Sequence, residues 1–239
     1  MFLPLHDSNQ LKIIRFQIIS GLIIVINLIL IIYTALIMGG IDNSTLATSL
    51  GAVPALLTDY KVLPANLHLI PEPATLITYM FLHAGWIHFL SNMAFIWVFA
   101  DNVEDAFGHF SFLVFFLVCG IAAALAHTLA GPHSQSPLIG ASGAVSGVMA
   151  AYLVLFPKAR VWVLLFLKLP LPIPAYLALV GWFGFQIFNS MMPQTGETIV
   201  AWWAHIGGFL TGGIIAFALR KPLNRRLASK VEAEEVEQV

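Results

Sequence analysis

Three short stretches of an otherwise apolar chain carry side chains able to do covalent chemistry. They are "HAGWIHFLSN" from His83 to Asn92, "GASGAVSG" from Gly140 to Gly147, and "AHIGGFLTGG" from Ala204 to Gly213. A serine hydroxyl becomes a nucleophile when a base takes its proton. Ser142 in the second stretch and His205 in the third supply that pair, because a neutral imidazole with a free pKa of about 6.5 takes a proton at physiological pH and returns it to a leaving amine. His88 and Asn92, four residues apart, share one helical face. With the backbone N–H of Ser142 they offer donors to a developing oxyanion, which are worth most where the dielectric is low. The chemistry this set permits is acyl transfer at a peptide bond.

Each stretch also admits a packing explanation. A His and an Asn at this spacing serve as interhelical hydrogen-bonding glue, and a lone G-x-S-G is a weak motif. A histidine satisfied by a carbonyl explains His205 as well as a base does. His83 reads as a structural hydrogen-bonding residue. Gly143 and Gly147 are four apart, as are Gly208 and Gly212, so two helices with matching smooth faces could approach to backbone distance and bring Ser142 to His205.

The solvent for these residues must be lipid. Of 239 residues, 59% are hydrophobic and only 10% charged, which excludes an ordinary soluble protein. About 20 apolar residues are needed to cross the hydrocarbon. Six stretches free of Asp, Glu, Lys and Arg qualify: Ile18–Met38, Leu76–Ala100, Phe110–Ala130, Leu138–Phe156, Ile173–Met192 and Thr198–Leu219. The expected fold class is therefore all-α, a polytopic bundle of six transmembrane helices over residues 18–219, between an amino-terminal segment 1–17 and a carboxy-terminal tail 220–239. Basic residues orient it, because loops rich in Lys and Arg stay cytoplasmic. Lys12 and Arg15, then Lys158, Arg160 and Lys168, then Arg220, Lys221, Arg225, Arg226 and Lys230 all fall on one side if both termini are cytoplasmic, leaving Lys61 outside.

The connections carry their own expectations. The acidic segment Asp101–His109 reads as a cytoplasmic loop, Gly39–Thr75 as a long external loop, Val161–Leu171 as an interfacial stretch broken by prolines, and Glu232–Gln238 as a frayed tail. At 1.5 Å per residue, Ser142 and His205 would lie about 6 Å and about 10 Å below their helix starts, at a similar level. The lone Cys119 allows no intrachain disulfide and reads as a buried, inert thiol.

The absence of carboxylates from the spans narrows the chemistry. It excludes an aspartic intramembrane protease and a triad with an intramembrane acid, leaving a Ser142–His205 dyad. There is no H-E-x-x-H, and His83, His88 and His205 have no supporting carboxylate, so neither a metal nor another cofactor is expected. A small transporter would be expected to show an ionisable pathway residue in its spans.

Together these residues resemble the rhomboid family, of the prokaryotic six-span type. The likeness runs in order through "FLHAGWIHFLSNM", "EDAFG" from Glu104 to Gly108, "GASG", "PAYLALVGWFGFQ" and "AHIGGFLTG", with "FLPLHDSN" near the start similar to the amino terminus of many prokaryotic members. The resemblance implies an intramembrane serine endopeptidase, with Ser142 as nucleophile, His205 as base, His88 and Asn92 as oxyanion partners, and Gly208 with Gly212 as the close helix contact. It implies single-span membrane proteins as substrates, cut near their outer end, with lateral entry past Trp182, Phe183 and Phe185. It implies a bilayer partner, no nucleic acid, and a prokaryotic inner membrane with the site opening to the non-cytoplasmic side. The alternative is a catalytically silent rhomboid-like binding protein. The chain departs from the family pattern in two places: Ala74 and Thr75 stand where many members have a Trp-Arg pair, and Ser146 stands where an aromatic often stacks on the histidine. Trp202 or Trp203 is the expected substitute.

Overall fold

The computed structural model describes residues 2–37, 44–165, 168–192 and 201–237. Met38, residues 39–43 of the external loop, 166–167, Thr198 and Gln238 lie outside these. The elements in chain order are β1 (Phe2–Asp7), α1 (Ile18–Ile37), α2 (Ser44–Leu50), α3 (Pro54–Leu57), α4 (Thr75–Thr78), α5 (Trp86–Phe107), α6 (His109–Ala130), α7 (Ser142–Leu155), β2 (Arg160–Leu165), β3 (Leu169–Pro174), α8 (Ala175–Ser190) and α9 (Trp202–Glu237). Among the described residues, three helical stretches are long and apolar enough to cross a membrane: 18–36, 109–130 and 202–228. A fourth is formed if the pair 65–81 and 86–107, bent by 81°, is one span.

The bend corrects the expected straight helix over Leu76–Ala100. A 3₁₀ turn ends at Phe81, Leu82 is extended, and Gly85 precedes α5 with φ 172° and ψ 171°. Helical hydrogen bonding restarts where the Phe89 N–H donates to the Gly85 carbonyl at 3.0 Å. The helix then runs past Ala100 to Phe107, so the acidic segment is helix and not the expected loop. One residue, Gly108 at φ +80°, joins α5 to α6. A Cβ there would lie 2.7 Å from the Arg226 guanidinium, which donates to the Phe107 carbonyl at 2.7 Å.

The acids are buried because they cap backbone. The Glu104 carboxylate accepts from the N–H groups of Ile19 and Ser20 at 2.9 and 2.8 Å and from the Ser20 hydroxyl at 2.6 Å. It thus satisfies orphan donors at the positive end of α1. Asp105 accepts from the N–H groups of Lys12, Ile13 and Ile14, in the segment before α1, at 2.7, 2.8 and 2.7 Å. The chain therefore enters α1 already fastened to α5.

The all-α expectation is also corrected. Strands β1, β2 and β3 form a three-stranded antiparallel sheet in that order. The stretch taken as interfacial is its β2–β3 hairpin, with Val161 and Val163 buried and Arg160 and Trp162 turned outward, the period-2 pattern of a strand. Pro170, Pro172 and Pro174 are tolerated because β3 is an edge and needs no donors on its free side. Since Pro174 ends β3, α8 starts at Ala175 and not at Ile173. At the carboxy terminus α9 continues to Glu237 with Leu223 and Leu227 buried, where a separate frayed tail was expected.

Helix α7 is the centre of the bundle. Every residue from Gly143 to Tyr152 is buried, and the helix packs against α5, α6, α8 and α9. Small residues make this possible. A Cβ on Gly208 would lie 1.9 Å from the Gly143 carbonyl oxygen, and one on Gly212 would lie 2.2 Å from that of Gly147. A Cβ on Gly147 would also meet Cys119 Sγ at 2.5 Å and one on Gly143 the Ala123 methyl at 2.5 Å, so α6 closes the other side.

Overpacking against backbone, which cannot swing aside, costs about 1–3 kcal/mol or more. Gly208→Ala is thus expected to lower the unfolding temperature of the detergent-solubilised protein by several degrees. Gly181→Ala, whose Cβ meets nothing within 4 Å, is expected to leave it unchanged or slightly raised. Equal unfolding temperatures for Gly208→Ala and wild type would contradict this packing.

Candidate active site

Ser142 is the first residue of α7, and not part-way down a longer helix over Leu138–Phe156 as expected. Residues before it are held in other ways. Ala52 and Leu138 exchange N–H···O bonds of 3.0 and 2.9 Å, and the Gly140 N–H donates to the Tyr79 carbonyl at 2.9 Å. The 14 residues of α7 span roughly 21 Å against roughly 33 Å for the 22 of neighbouring α6. Helix α7 is therefore roughly 12 Å shorter than α6. Its first-turn N–H groups, which have no intrahelical acceptor, lie at the Ser142 end together with the positive end of its dipole.

His205 is the fourth residue of α9. The glycine contacts bring it against α7, with its Nε2 2.9 Å from Ser142 Oγ. Its Nδ1 lies 2.7 Å from Oε1 of Gln186 on α8, a buried amide whose Nε2 points to the Trp182 carbonyl at 3.5 Å. An amide oxygen only accepts, so Nδ1 carries the proton and Nε2 is left to accept from the Ser142 hydroxyl. Sequence reasoning passed over Gln186, although an uncharged polar side chain inside an apolar span was its signal.

The ring neighbours of His205 include Trp202, one of the two expected, and Trp182, which was not expected. Trp182 lies 5.8 Å away, tilted by 39°, and Trp202 stands edge-on at 6.2 Å. Trp203 makes no ring contact with it and is exposed. Ser146 turns back to bond the Ser142 carbonyl at 2.6 Å. Of the aromatics assigned to lateral entry, Trp182 thus flanks the histidine, Phe183 stacks on Phe209 at 4.2 Å, and Phe185 meets Trp202 edge-on at 5.9 Å.

His88 and Asn92 face the turn just before Ser142. A Cβ on Gly140, where φ is +113°, would lie 2.6 Å from His88 Nε2 and 3.6 Å from Asn92 Nδ2. Only glycine both fits that space and adopts that angle readily. His88 Nδ1 accepts from the Ala84 N–H at 3.5 Å, which turns Nε2 toward the Gly140 side. Asn92 Nδ2 is buried with no hydrogen-bond partner. An unmet buried donor costs about 1–3 kcal/mol, and here it lies close to the serine turn. His83 does not have its expected hydrogen bonds: both of its ring nitrogens are buried and unpaired, and its ring packs edge-on against His88 and Phe89 at 5.1 and 5.6 Å. No grouping of His, Cys, Asp and Glu among the described residues could hold a metal ion.

Apolar spans around a buried polar centre define an integral membrane protein. The chain belongs to the rhomboid family: the family model described as Rhomboid domain matches residues 71–222, which takes in the whole polar centre. It is similar to the RHOMBOID-like protein 6, mitochondrial, of Arabidopsis thaliana, at 32% identity over 62% of this chain and 44% of that protein. It is similar to the Rhomboid protein 1, mitochondrial, of Saccharomyces cerevisiae, at 26% identity over 69% of this chain and 47% of that one. A Toxoplasma gondii relative named Rhomboid-like protease 5 is 30% identical over 58% of this chain and 15% of its own length. The chain spans less than half the length of these relatives. All three are eukaryotic and two are mitochondrial by name, so they lend no support to a prokaryotic inner-membrane origin.

In ¹⁵N NMR of histidine-labelled protein, wild-type His205 is expected to show a protonated Nδ1 and a bare Nε2, and Gln186→Leu is expected to give a mixture of tautomers. An unchanged His205 spectrum in Gln186→Leu would show that the amide does not hold the ring.

Proposed function

We propose that this protein is an intramembrane serine endopeptidase that cuts single-span membrane proteins near their outer end, using Ser142 as nucleophile and His205 as general base. The observation that carries this reading is the 2.9 Å contact between His205 Nε2 and Ser142 Oγ, with the tautomer that Gln186 favours. As Oγ attacks the scissile carbonyl carbon, Nε2 takes its proton, and the positive charge that forms on the ring is shared with the Gln186 oxygen. The tetrahedral oxyanion is met by the Ser142 N–H at the helix start, the Asn92 amide nitrogen and His88 Nε2. His205 then gives the proton to the leaving amine as the C–N bond breaks. Water, deprotonated by the same ring, hydrolyses the ester and restores Ser142. Gln186 carries no charge, so it orients the ring without placing a buried carboxylate in lipid.

The same reading takes α7 and α8 as spans, making six in all with both termini on the basic, cytoplasmic side. The start of α7 then lies toward the non-cytoplasmic face, below the bilayer surface. A substrate helix must unwind there, because its peptide bonds are shielded until the backbone is extended.

The test uses full-length protein in liposomes with a model single-span substrate. Wild type is expected to cleave it, Ser142→Ala and His205→Ala to fall to background, and Asn92→Ala to lose about 10²–10³-fold in turnover. Cleavage that survives Ser142→Ala would sink the assignment. A wild type that binds such substrates without cutting any would identify a silent binding protein.

A further inference from the structure

A second polar feature lies well away from Ser142. Between the start of α1 and the later turns of α5 is a partly open cleft of about 210 Å³, lined by Phe16, Gln17, Ser20, Ile96, Trp97 and Asp101 among others. Asp101 is 13 residues beyond His88 on α5, roughly 20 Å further along the helix.

None of the described residues that line the cleft is basic. Asp101 and Asp7 both accept from the one side-chain nitrogen of Asn102, at 3.0 and 3.2 Å, and Asp101 Oδ1 also takes the Asn102 backbone N–H at 2.7 Å. Both ion pairs formed among the described residues lie elsewhere, at His68–Glu72 and His109–Glu104. Burial raises the Asp7 carboxyl above its ordinary range, a penalty that its bond from Tyr152 only partly offsets. The Asn102 bonds fall on one oxygen of Asp101, leaving Oδ2 available.

The walls are suited to a cation. Phe16 and Trp97 are 66% and 61% exposed, and the face of an aromatic ring attracts a positive charge. Arg15, next in sequence to the lining residue Phe16, already lies over that ring at 5.5 Å, which leaves the Trp97 face for a further cation. Lys12 and Arg15 immediately precede the uncharged run of α1, which sets the cleft at headgroup level. A site with an acid and an indole inside and a guanidinium beside it has the polarity of a zwitterionic headgroup, amine inward and phosphate outward.

We propose that this cleft binds the headgroup of an aminophospholipid, its primary ammonium between Asp101 and the Trp97 ring and its phosphate beside Arg15. A primary ammonium has N–H groups to give to Asp101 Oδ2 and to the Gln17 amide oxygen, and a choline headgroup has none.

Native mass spectrometry of the full-length, delipidated protein tests this with phosphatidylethanolamine, phosphatidylcholine and phosphatidylglycerol of the same acyl chains. Wild type is expected to retain phosphatidylethanolamine about 10-fold or more over the other two, the scale of a hydrogen bond to a charged group. Asp101→Asn is expected to bring it down to the level of phosphatidylcholine, and Trp97→Leu to lower the retention of phosphatidylethanolamine and phosphatidylcholine together, since both cations meet the ring. Trp97 is exposed, so its variant keeps the test open should Asp101→Asn fail to fold. Equal retention of the three lipids by wild type, or phosphatidylethanolamine retention that is undiminished in the folded variants, would overturn the proposal. So would soluble glycerophosphoethanolamine binding as tightly as the lipid, which would make the ligand a free metabolite.

Discussion

Two backbones touching inside the bundle set the geometry on which everything else depends. Where α9 meets α7 there is no side chain between them: Gly208 and Gly212 sit over the carbonyls of Gly143 and Gly147. In lipid no hydrophobic force draws helices together, so close packing of small residues has to do it. That contact fixes the rotation and height of α9 relative to α7. Ser142 and His205 precede their glycines by one and three residues, so the packing that joins the helices also joins the side chains. A single methyl group at Gly208 would push both apart.

The remaining elements hold this pair in place from three sides. Helix α8 supplies Gln186, which sets the proton on the far nitrogen of His205. Helix α5 supplies His88 and Asn92, held at the serine turn because Gly140 leaves room for them. Farther along, the carboxylates of α5 cap α1 and the segment before it, and Asp7 of β1 bonds Tyr152, ten residues beyond Ser142 on α7. The sheet thus ties the start of the chain to the far end of the helix that carries the serine. Buried acids, unexpected in a membrane protein, are affordable here because each one meets backbone N–H groups that would otherwise be orphaned.

Much of the site was legible in the sequence because intramembrane polar residues are few and their spacing is helical. Ser142, His205, the His88/Asn92 pair and the two glycine faces could all be found that way. What was missed had weaker or misleading signals. Gln186 is a lone amide, and its importance comes from a partner on another helix. Glu104 and Asp105 looked like part of a loop because charge was equated with solvent, whereas they cap backbone N–H groups of α1 and the segment before it. The hairpin at Arg160–Pro174 was hidden by its prolines, although Val161 and Val163 alternate with outward residues as a strand requires. The break before Trp86 was signalled by Gly85, but a hydropathy count runs straight through it. The start of α7 at Ser142 follows from pairing between Ala52 and Leu138, which no local pattern reports.

The central claim is that Ser142 is an activated nucleophile and not a packing serine. Reaction of the folded protein with a fluorophosphonate, mapped by peptide mass spectrometry, tests it most directly. The account predicts a single adduct on Ser142 that is lost in His205→Ala and retained in Ser146→Ala. An adduct on Ser146 in its place, or none on Ser142 in folded wild-type protein, would contradict it.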